Sequence, residues 1–133
     1  MKRIVIDLDG TLTINCEAGY PDKPLNIEVL KACRKYKDMG FEIIIYTSRN
    51  MRTYEGNIGK INMYTLPEAI TWLEKHSVTY DEIHVGKPWC GFDGFYVDDK
   101  SIRPSEFAML SYKEIQALLA KEDFLNNSSN KLF

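Results

Sequence analysis

The chain has 133 residues, of which 44% are hydrophobic and 27% are charged, and it carries a formal net charge of −2. This length fits one domain, and the charge gives no basic field that would hold nucleic acid or an anionic membrane nonspecifically. No apolar run approaches the ~20 residues of a membrane-spanning helix. Its three cysteines are widely separated and lack metal-binding spacing, which predicts reduced thiols in a cytoplasmic protein.

The first half of the chain alternates strand and helix patterns. A β-branched run over residues 2–8 ends at Asp9-Gly10 and predicts a buried strand. Residues 11–24 contain Gly19 and two prolines and are interpreted as a flap or loop. Asn26 is expected to cap a helix that ends near Gly40, and residues 41–46 predict a second buried strand.

The second half repeats this alternation with shorter elements. Residues 48–64 are polar and give no clear assignment, whereas Thr65 to Glu68 predicts a capping box for a helix ending near His76. Two short strands are predicted over residues 82–85 and 95–97. Ser111 to Glu114 predicts another capping box, for a helix through Leu119. We expect one domain over residues 1–125 and a polar, frayed tail over 126–133.

This order of elements predicts an α/β fold, a three-layer Rossmann-like sandwich with a mostly parallel sheet and helices on both faces. Ligands of such sheets bind beyond the carboxyl ends of the strands. Every predicted strand delivers polar or charged groups to that edge. In chain order these are Asp7 and Asp9, then Thr47, Ser48 and Arg49, then Lys87, and finally Asp98 and Asp99.

The residue types at this edge favour phosphoryl transfer. Carboxylates that converge in one cleft repel one another unless a cation lies among them, and an all-oxygen ligand set suits Mg²⁺. Lys87 would offset the repulsion between a phosphate and a carboxylate nucleophile. Gly10 allows the chain to turn sharply, so that two acids spaced i, i+2 can serve as nucleophile and proton donor.

The motif Asp7-x-Asp9-Gly10-Thr11, followed by Thr47, Lys87 and Asp98-Asp99, resembles the four motifs of the haloacid dehalogenase-like hydrolase superfamily. The resemblance implies that Asp7 is the nucleophile and that Asp9 is general acid and then general base. It also implies that Mg²⁺ is bound by Asp7, Asp98 and the backbone carbonyl of Asp9. Thr47 would hold a phosphate oxygen, and Lys87 would neutralise the phosphate. Asp99 would act through a water or orient the lysine.

A narrower resemblance rests on residues 50–57, 86–91 and 102–107. These stretches are similar to small uncapped members of the superfamily that are linked to bacterial capsule polysaccharide biosynthesis. The resemblance implies a sugar phosphate or small polyol phosphate as substrate. Neither interval between the motifs has room for a cap domain, so the site is expected to be open, or covered by a large substrate or by a second copy of the chain.

Several residues near the motifs have two plausible roles. Arg49 and Arg52 could bind a second anionic group of the substrate, or they could pair with Glu55. Trp89 could stack on a sugar or fill an apolar gap, and Tyr20 in the flap could also contact substrate. Only ten residues separate Lys87 from Asp98, which predicts an extended loop there in place of a crossover helix.

Three other functions compete with a phosphatase. A dehalogenase needs no proton donor for its halide, so Asp9 argues against it. A receiver-type signalling domain takes its phosphate-accepting acid from the third strand, where this chain offers Lys87. A non-catalytic subunit of a biosynthetic complex is the remaining alternative, and the full set of chemical groups argues against it.

Overall fold

A computed structural model describes the backbone of residues 2–87, 90 and 92–131, and the side chains of these residues as far as Asp123. Its four strands form one sheet in the order β3-β2-β1-β4, and all neighbouring pairs are parallel. The predicted Rossmann-like α/β architecture is therefore confirmed. The strands are β1 Arg3–Asp7, β2 Glu42–Thr47, β3 Glu82–Val85 and β4 Phe95–Val97, and the helices are α1 Ile27–Asp38, α2 Ile58–Lys60, α3 Leu66–Lys75, α4 Pro104–Met109 and α5 Tyr112–Lys131.

The main core lies between one face of the sheet and helices α1 and α3. Alternate residues of β1 and β2 point to this face, as the two-residue period of a strand requires. They pack against Leu30 and Cys33 of α1 and against Trp72 and Leu73 of α3. Trp72 also donates from Nε1 to the carbonyl of Lys23 at 2.9 Å, which ties the flap to the core.

The opposite face of the sheet is also covered. Val5 and Ile44 are fully buried there, and Cys90 packs against them. Cys90 belongs to the connection between β3 and β4, which contains no helix in its described residues. This agrees with the short spacing between Lys87 and Asp98, which predicted an extended loop there in place of a crossover helix. Within the described part of the chain, every helix is too short or too polar to span a lipid bilayer.

Most predicted helix ends agree with the structure. The side chain of Asn26 accepts a hydrogen bond from the Val29 amide at the start of α1. Gly40 follows the end of this helix with a φ of +93°. The capping box at the start of α5 is present, because Ser111 and Glu114 each accept from the other's backbone amide, at 3.2 and 2.9 Å.

The predicted capping box at Thr65 is wrong. Helical backbone already begins at Ile58, where the side chain of Asn57 accepts from the Lys60 amide, and it continues through a wide turn, Ile61–Thr65, into α3. Thr65 is buried, and its hydroxyl accepts a hydrogen bond from Asn50 at 2.7 Å. The hydroxyl therefore anchors the preceding loop and does not cap a helix.

The carboxyl-terminal part differs from the predicted pattern at two points. Helix α4 was not predicted, and α5 extends from the expected end at Leu119 to Lys131. Alanine, leucine, lysine and glutamate continue beyond Leu119, and these residues favour helix. The frayed tail over residues 126–133 stays a prediction.

Candidate active site

The strand register brings the predicted acids together. Ile6 of β1 lies opposite Val97 of β4, so the next residues, Asp7 and Asp98, leave adjacent strands at the same level. Ligand oxygens of Asp7, Asp98 and Asp99 all lie within 4.8 Å of one another. Asp99 therefore belongs to this cluster as closely as Asp98 does, whereas the family resemblance implied only a supporting role for it.

The turn after β1 shapes the cluster. Gly10 has a φ of +81°, and a β-carbon at this position would collide with the carboxylate of Asp99. The Gly10 amide donates to the Thr13 hydroxyl at 3.1 Å. Glycine is needed here both for the backbone conformation and for the close approach of the last acid.

Burial and crowding of the acids change their protonation. Burial, a hydrogen bond with Asp99 and the charges of Asp98, Asp99 and Asp9 raise the pKa of Asp7 to about 8. Burial is also the largest influence that raises the pKa of Asp99. Burial opposes ionisation of Asp98 as well, but hydrogen bonds from Tyr46 and the Lys100 amide hold its pKa below the usual range.

The cluster fits a hard divalent cation. Three carboxylates in one cleft supply only oxygen ligands, the type that Mg²⁺ prefers. A protonated Asp7 would be a poor nucleophile at neutral pH, and a cation among the acids would favour its ionised form. Asp7, Asp98 and Asp99 are thus the side chains that could hold the metal. A ligand role for the Asp9 carbonyl stays a prediction.

A polar cleft of about 310 Å³ opens above the cluster. Three of its lining residues, Asn15, Tyr46 and Lys100, were not singled out in the sequence. The full lining consists of Asp7, Asp9, Asn15, Tyr46, Ser48, Asp98, Asp99 and Lys100. No cap domain interrupts the described residues on either side of the cleft.

Thr47 and Arg49 lie beside Asp9 at the end of β2. The Thr47 hydroxyl donates to Asp9 Oδ2 at 3.1 Å, and the guanidinium of Arg49 contacts both oxygens of the same carboxylate. Ser48 is exposed and lines the cleft. The structure thus joins Arg49 to Asp9, and it shows no pairing of Arg49 with Glu55 among the described residues.

Lys87 lies close to the site but is held by aromatic rings. Its Nζ is 4.4 Å from the ring centroid of Tyr96 and 5.8 Å from that of Tyr46. Its charge helps to lower the pKa of Asp98, although no described carboxylate is within ion-pair distance of it. Trp89, the predicted stacking residue, lies outside the described residues.

Tyr46 is the main site residue that sequence reasoning missed. Its phenol hydroxyl donates to Asp98 Oδ2, and its ring forms part of the cleft. In the sequence it is the last apolar residue of a buried strand, and nothing there distinguishes it from a core residue. The signal that could have found it is the alternation along β2, which places Tyr46 on the face opposite Ile43 and Ile45.

Comparison with known proteins identifies the family of this chain. The sequence profile of the haloacid dehalogenase-like hydrolases matches residues 4–71, which contain Asp7, Asp9 and Thr47. Because this match covers just over half of the chain, the chain belongs to the haloacid dehalogenase-like hydrolase family. Membership supports a hydrolase function, in general that of a phosphatase.

This chain is also similar to solved structures. An MCSG target protein from Vibrio cholerae is 56% identical, with 92% of this chain and 99% of that chain covered and a TM-score of 0.64. Two structures of a Pnkp1/Rnl/Hen1 complex align at 20% and 21% identity over 81% and 80% of this chain, and 34% and 29% of theirs. Their TM-scores of 0.46 and 0.42 are too low to support any conclusion about this chain. Curated protein sequences contain no significant match.

Proposed function

We propose that this protein is a Mg²⁺-dependent phosphatase that hydrolyses a phosphate monoester through an aspartyl-phosphate on Asp7. The observation that carries the proposal is the convergence of Asp7, Asp98 and Asp99 within 4.8 Å, with Asp9 lining the same cleft. When bound, Mg²⁺ would offset the negative charge of the carboxylates and of the phosphate.

The proposed reaction has two steps. In the first, an oxygen of Asp7 bonds to phosphorus while the bond from phosphorus to the leaving oxygen breaks, and Asp9 gives that oxygen its proton. In the second, a water oxygen bonds to phosphorus and passes a proton to Asp9, while the bond from phosphorus to the Asp7 oxygen breaks. Inorganic phosphate is released and the Asp7 carboxylate is restored. Thr47 would hold a phosphate oxygen, and Lys87 would stabilise the charge of the transferring group.

The proposed substrate is a sugar phosphate or small polyol phosphate from capsule polysaccharide precursor synthesis in the cytoplasm. The resemblance of residues 50–57, 86–91 and 102–107 to capsule-linked members supports this substrate class. The polar lining of the cleft suits hydroxyl groups, since Asn15, Ser48 and Lys100 can all hydrogen-bond to them. A second copy of the chain could cover the open cleft.

Asp9 favours a phosphatase over a dehalogenase. A halide leaves without taking a proton, whereas an alkoxide leaving group needs one. Asp9 lies two residues after the proposed nucleophile, and Thr47 and Arg49 hydrogen-bond to its carboxylate and fix its position. The presence of these reactive groups also argues against a non-catalytic subunit.

The test is hydrolysis of a chromogenic aryl phosphate with and without Mg²⁺. We expect turnover that stops with a chelator and returns when the metal is added. Asp7→Asn should abolish turnover without unfolding the protein, because the amide is nearly isosteric but a poor nucleophile. Acid quenching of the wild type should trap phosphate on Asp7. Full activity of Asp7→Asn, or turnover in metal-free buffer, would disprove the mechanism.

A further inference from the structure

Arg49 is a buried arginine that the proposed reaction does not use. Only 1% of its side chain is exposed, and it is not among the residues that line the cleft. Its Nη1 atom has no hydrogen-bond partner among the described residues. A buried guanidinium with an unpaired donor is costly to keep, so its remaining contacts are expected to have a function.

Those contacts are Asp9 on one side and Tyr20 on the other. The guanidinium carbon lies 3.9 Å from the ring centroid of Tyr20, a stacking distance for arginine on an aromatic face. Tyr20 belongs to the flap, which is fixed at its far end by the Trp72–Lys23 hydrogen bond and by Ile14 N donating to Pro24 O at 2.9 Å. Tyr20 of the flap therefore covers the arginine.

The two oxygens of Asp9 are held unequally. Oδ1 accepts from Arg49 Nη2 at 2.8 Å, a short charge-assisted hydrogen bond. Oδ2 accepts from Arg49 Nε at 3.3 Å and from the Thr47 hydroxyl at 3.1 Å. The Thr47 hydroxyl has one hydrogen, so it cannot donate to Asp9 and to a bound phosphate at the same time.

We propose that Arg49 and Tyr20 form a clamp that fixes Oδ1 of Asp9 and leaves Oδ2 as the oxygen that carries the proton. This inference rests on the proposed function. When Thr47 turns its hydroxyl to the phosphate, Oδ2 keeps only the long contact from Nε. Arg49 then acts as a positioning residue for the general acid and base and does not contact the substrate.

The proton balance agrees with this division of the two oxygens. In the transfer step the hydrogen leaves Oδ2 for the leaving oxygen, and in hydrolysis a proton from water returns to Oδ2. Oδ1 accepts from Arg49 throughout, because a guanidinium donates hydrogen bonds and accepts none. The carboxyl plane is thus held in place through both steps.

The test compares Arg49→Ala and Arg49→Lys in single-turnover hydrolysis of an alkyl phosphate and an aryl phosphate. A misplaced general acid slows poor leaving groups most, and we expect Arg49→Ala to slow alkyl phosphate transfer on the order of 10²-fold with little change in KM. The aryl phosphate should lose less, and the lysine variant should recover part of the rate. Arg34→Ala removes an exposed arginine that donates to the Ser77 carbonyl, and serves as the control.

A double-mutant cycle decides whether Arg49 acts through Asp9. If it does, Arg49→Ala should add little to the loss already caused by Asp9→Asn. Tyr20→Ala removes only the stacked ring, and should give a smaller loss with the same dependence on the leaving group. This variant also tests the clamp if Arg49→Ala fails to fold, which a thermal melt would show.

Three results would overturn the clamp. These are a raised KM with unchanged kcat in Arg49→Ala, a loss fully additive with that of Asp9→Asn, and unchanged alkyl phosphate transfer in Tyr20→Ala. The first would make Arg49 a substrate contact. The proposed function is tested separately by the wild type and Asp7→Asn, so either idea can fail while the other stands.

Discussion

The phenol hydroxyl of Tyr46 donates a hydrogen bond to Asp98 Oδ2 and so connects the ends of β2 and β4. These strands are not neighbours, because β1 lies between them. Tyr46 lies beside Asp7 in the strand register, and its hydroxyl reaches past the proposed nucleophile to a candidate metal ligand. A hydrogen bond to a ligating carboxylate fixes its orientation, and such bonds contribute substantially to metal affinity.

Tyr46→Phe should therefore raise the Mg²⁺ concentration needed for activity, on the order of 10-fold. The ring and its packing against the second face of the sheet are kept, so the variant should remain folded. Mg²⁺ affinity is measured by calorimetry and by the metal dependence of aryl phosphate hydrolysis. Asp98→Ala, which removes a proposed ligand itself, should have the larger effect. Equal Mg²⁺ affinity in wild type and Tyr46→Phe would show that the hydrogen bond does not support a metal site.

Much of this site could be predicted because each acid follows a strand. Parallel strands end at one edge, so recognising β1 and β4 was enough to bring Asp7 near Asp98. The hydrogen bonds across the site could not be predicted in this way. Whether Tyr46 reaches Asp98, or Arg49 reaches Asp9, depends on strand register and side-chain direction, which the pattern of apolar residues does not determine.

The errors in the fold have a similar origin. A threonine followed three residues later by glutamate predicts a helix start, and Thr65 has that pattern. Tertiary contacts override this pattern. Asn50 hydrogen-bonds to Thr65, and Asn57 caps the helical segment that begins earlier, at Ile58. Local propensity is a weak guide in places where a long loop packs against the core.

Gly10→Ala should weaken both the fold and the metal site. The left-handed backbone conformation alone costs about 1 kcal/mol for a residue with a β-carbon, and the added methyl group would displace Asp99. Gly40→Ala is a matched control, because Gly40 also has a positive φ but has nothing within 4 Å of the added atom. Denaturant unfolding should show both variants destabilised, and Mg²⁺ binding should fail only in Gly10→Ala. Normal Mg²⁺ affinity in Gly10→Ala would contradict the role assigned to Asp99.

Lys87→Ala should slow every phosphate ester by about 10²–10³-fold. Two charges 4 Å apart at an effective dielectric of ~20 interact by about 4 kcal/mol, and each 1.4 kcal/mol changes a rate about tenfold. The ammonium group of Lys87 lies over the ring of Tyr96, whereas Lys100 lines the cleft. Lys100→Ala is therefore the variant to compare with Lys87→Ala. The rates of both variants with aryl and alkyl phosphates show which lysine serves the phosphate. If Lys100→Ala loses more than Lys87→Ala with both esters, the cation that serves the phosphate is Lys100.

Asp7 should make the stability of the metal-free protein fall as pH rises from about 4 to about 8. Its pKa is about 8 in the folded protein against 3.8 for an unperturbed aspartate, so within this range the folded state holds a proton that the unfolded state has released. Because the unfolded state binds fewer protons than the folded state, unfolding releases a proton in this pH range. Stability therefore declines as pH rises, until the folded pKa is passed. Asp7→Asn cannot titrate, and should be more stable than the wild type near pH 8 but not near pH 4.

Mg²⁺ should reverse this decline, because it binds the ionised carboxylates and therefore stabilises the protein more at high pH than at low pH. Thermal or denaturant unfolding of both proteins across this range, with and without Mg²⁺, measures the effect. Asp98 has a lowered pKa, so its contribution to the pH dependence of stability is opposite to that of Asp7. Subtracting the stability of Asp7→Asn from that of the wild type at each pH leaves the contribution of Asp7 alone. Parallel pH profiles for the two proteins without metal would show that Asp7 is already ionised, and that neither burial nor the neighbouring acids raise its pKa.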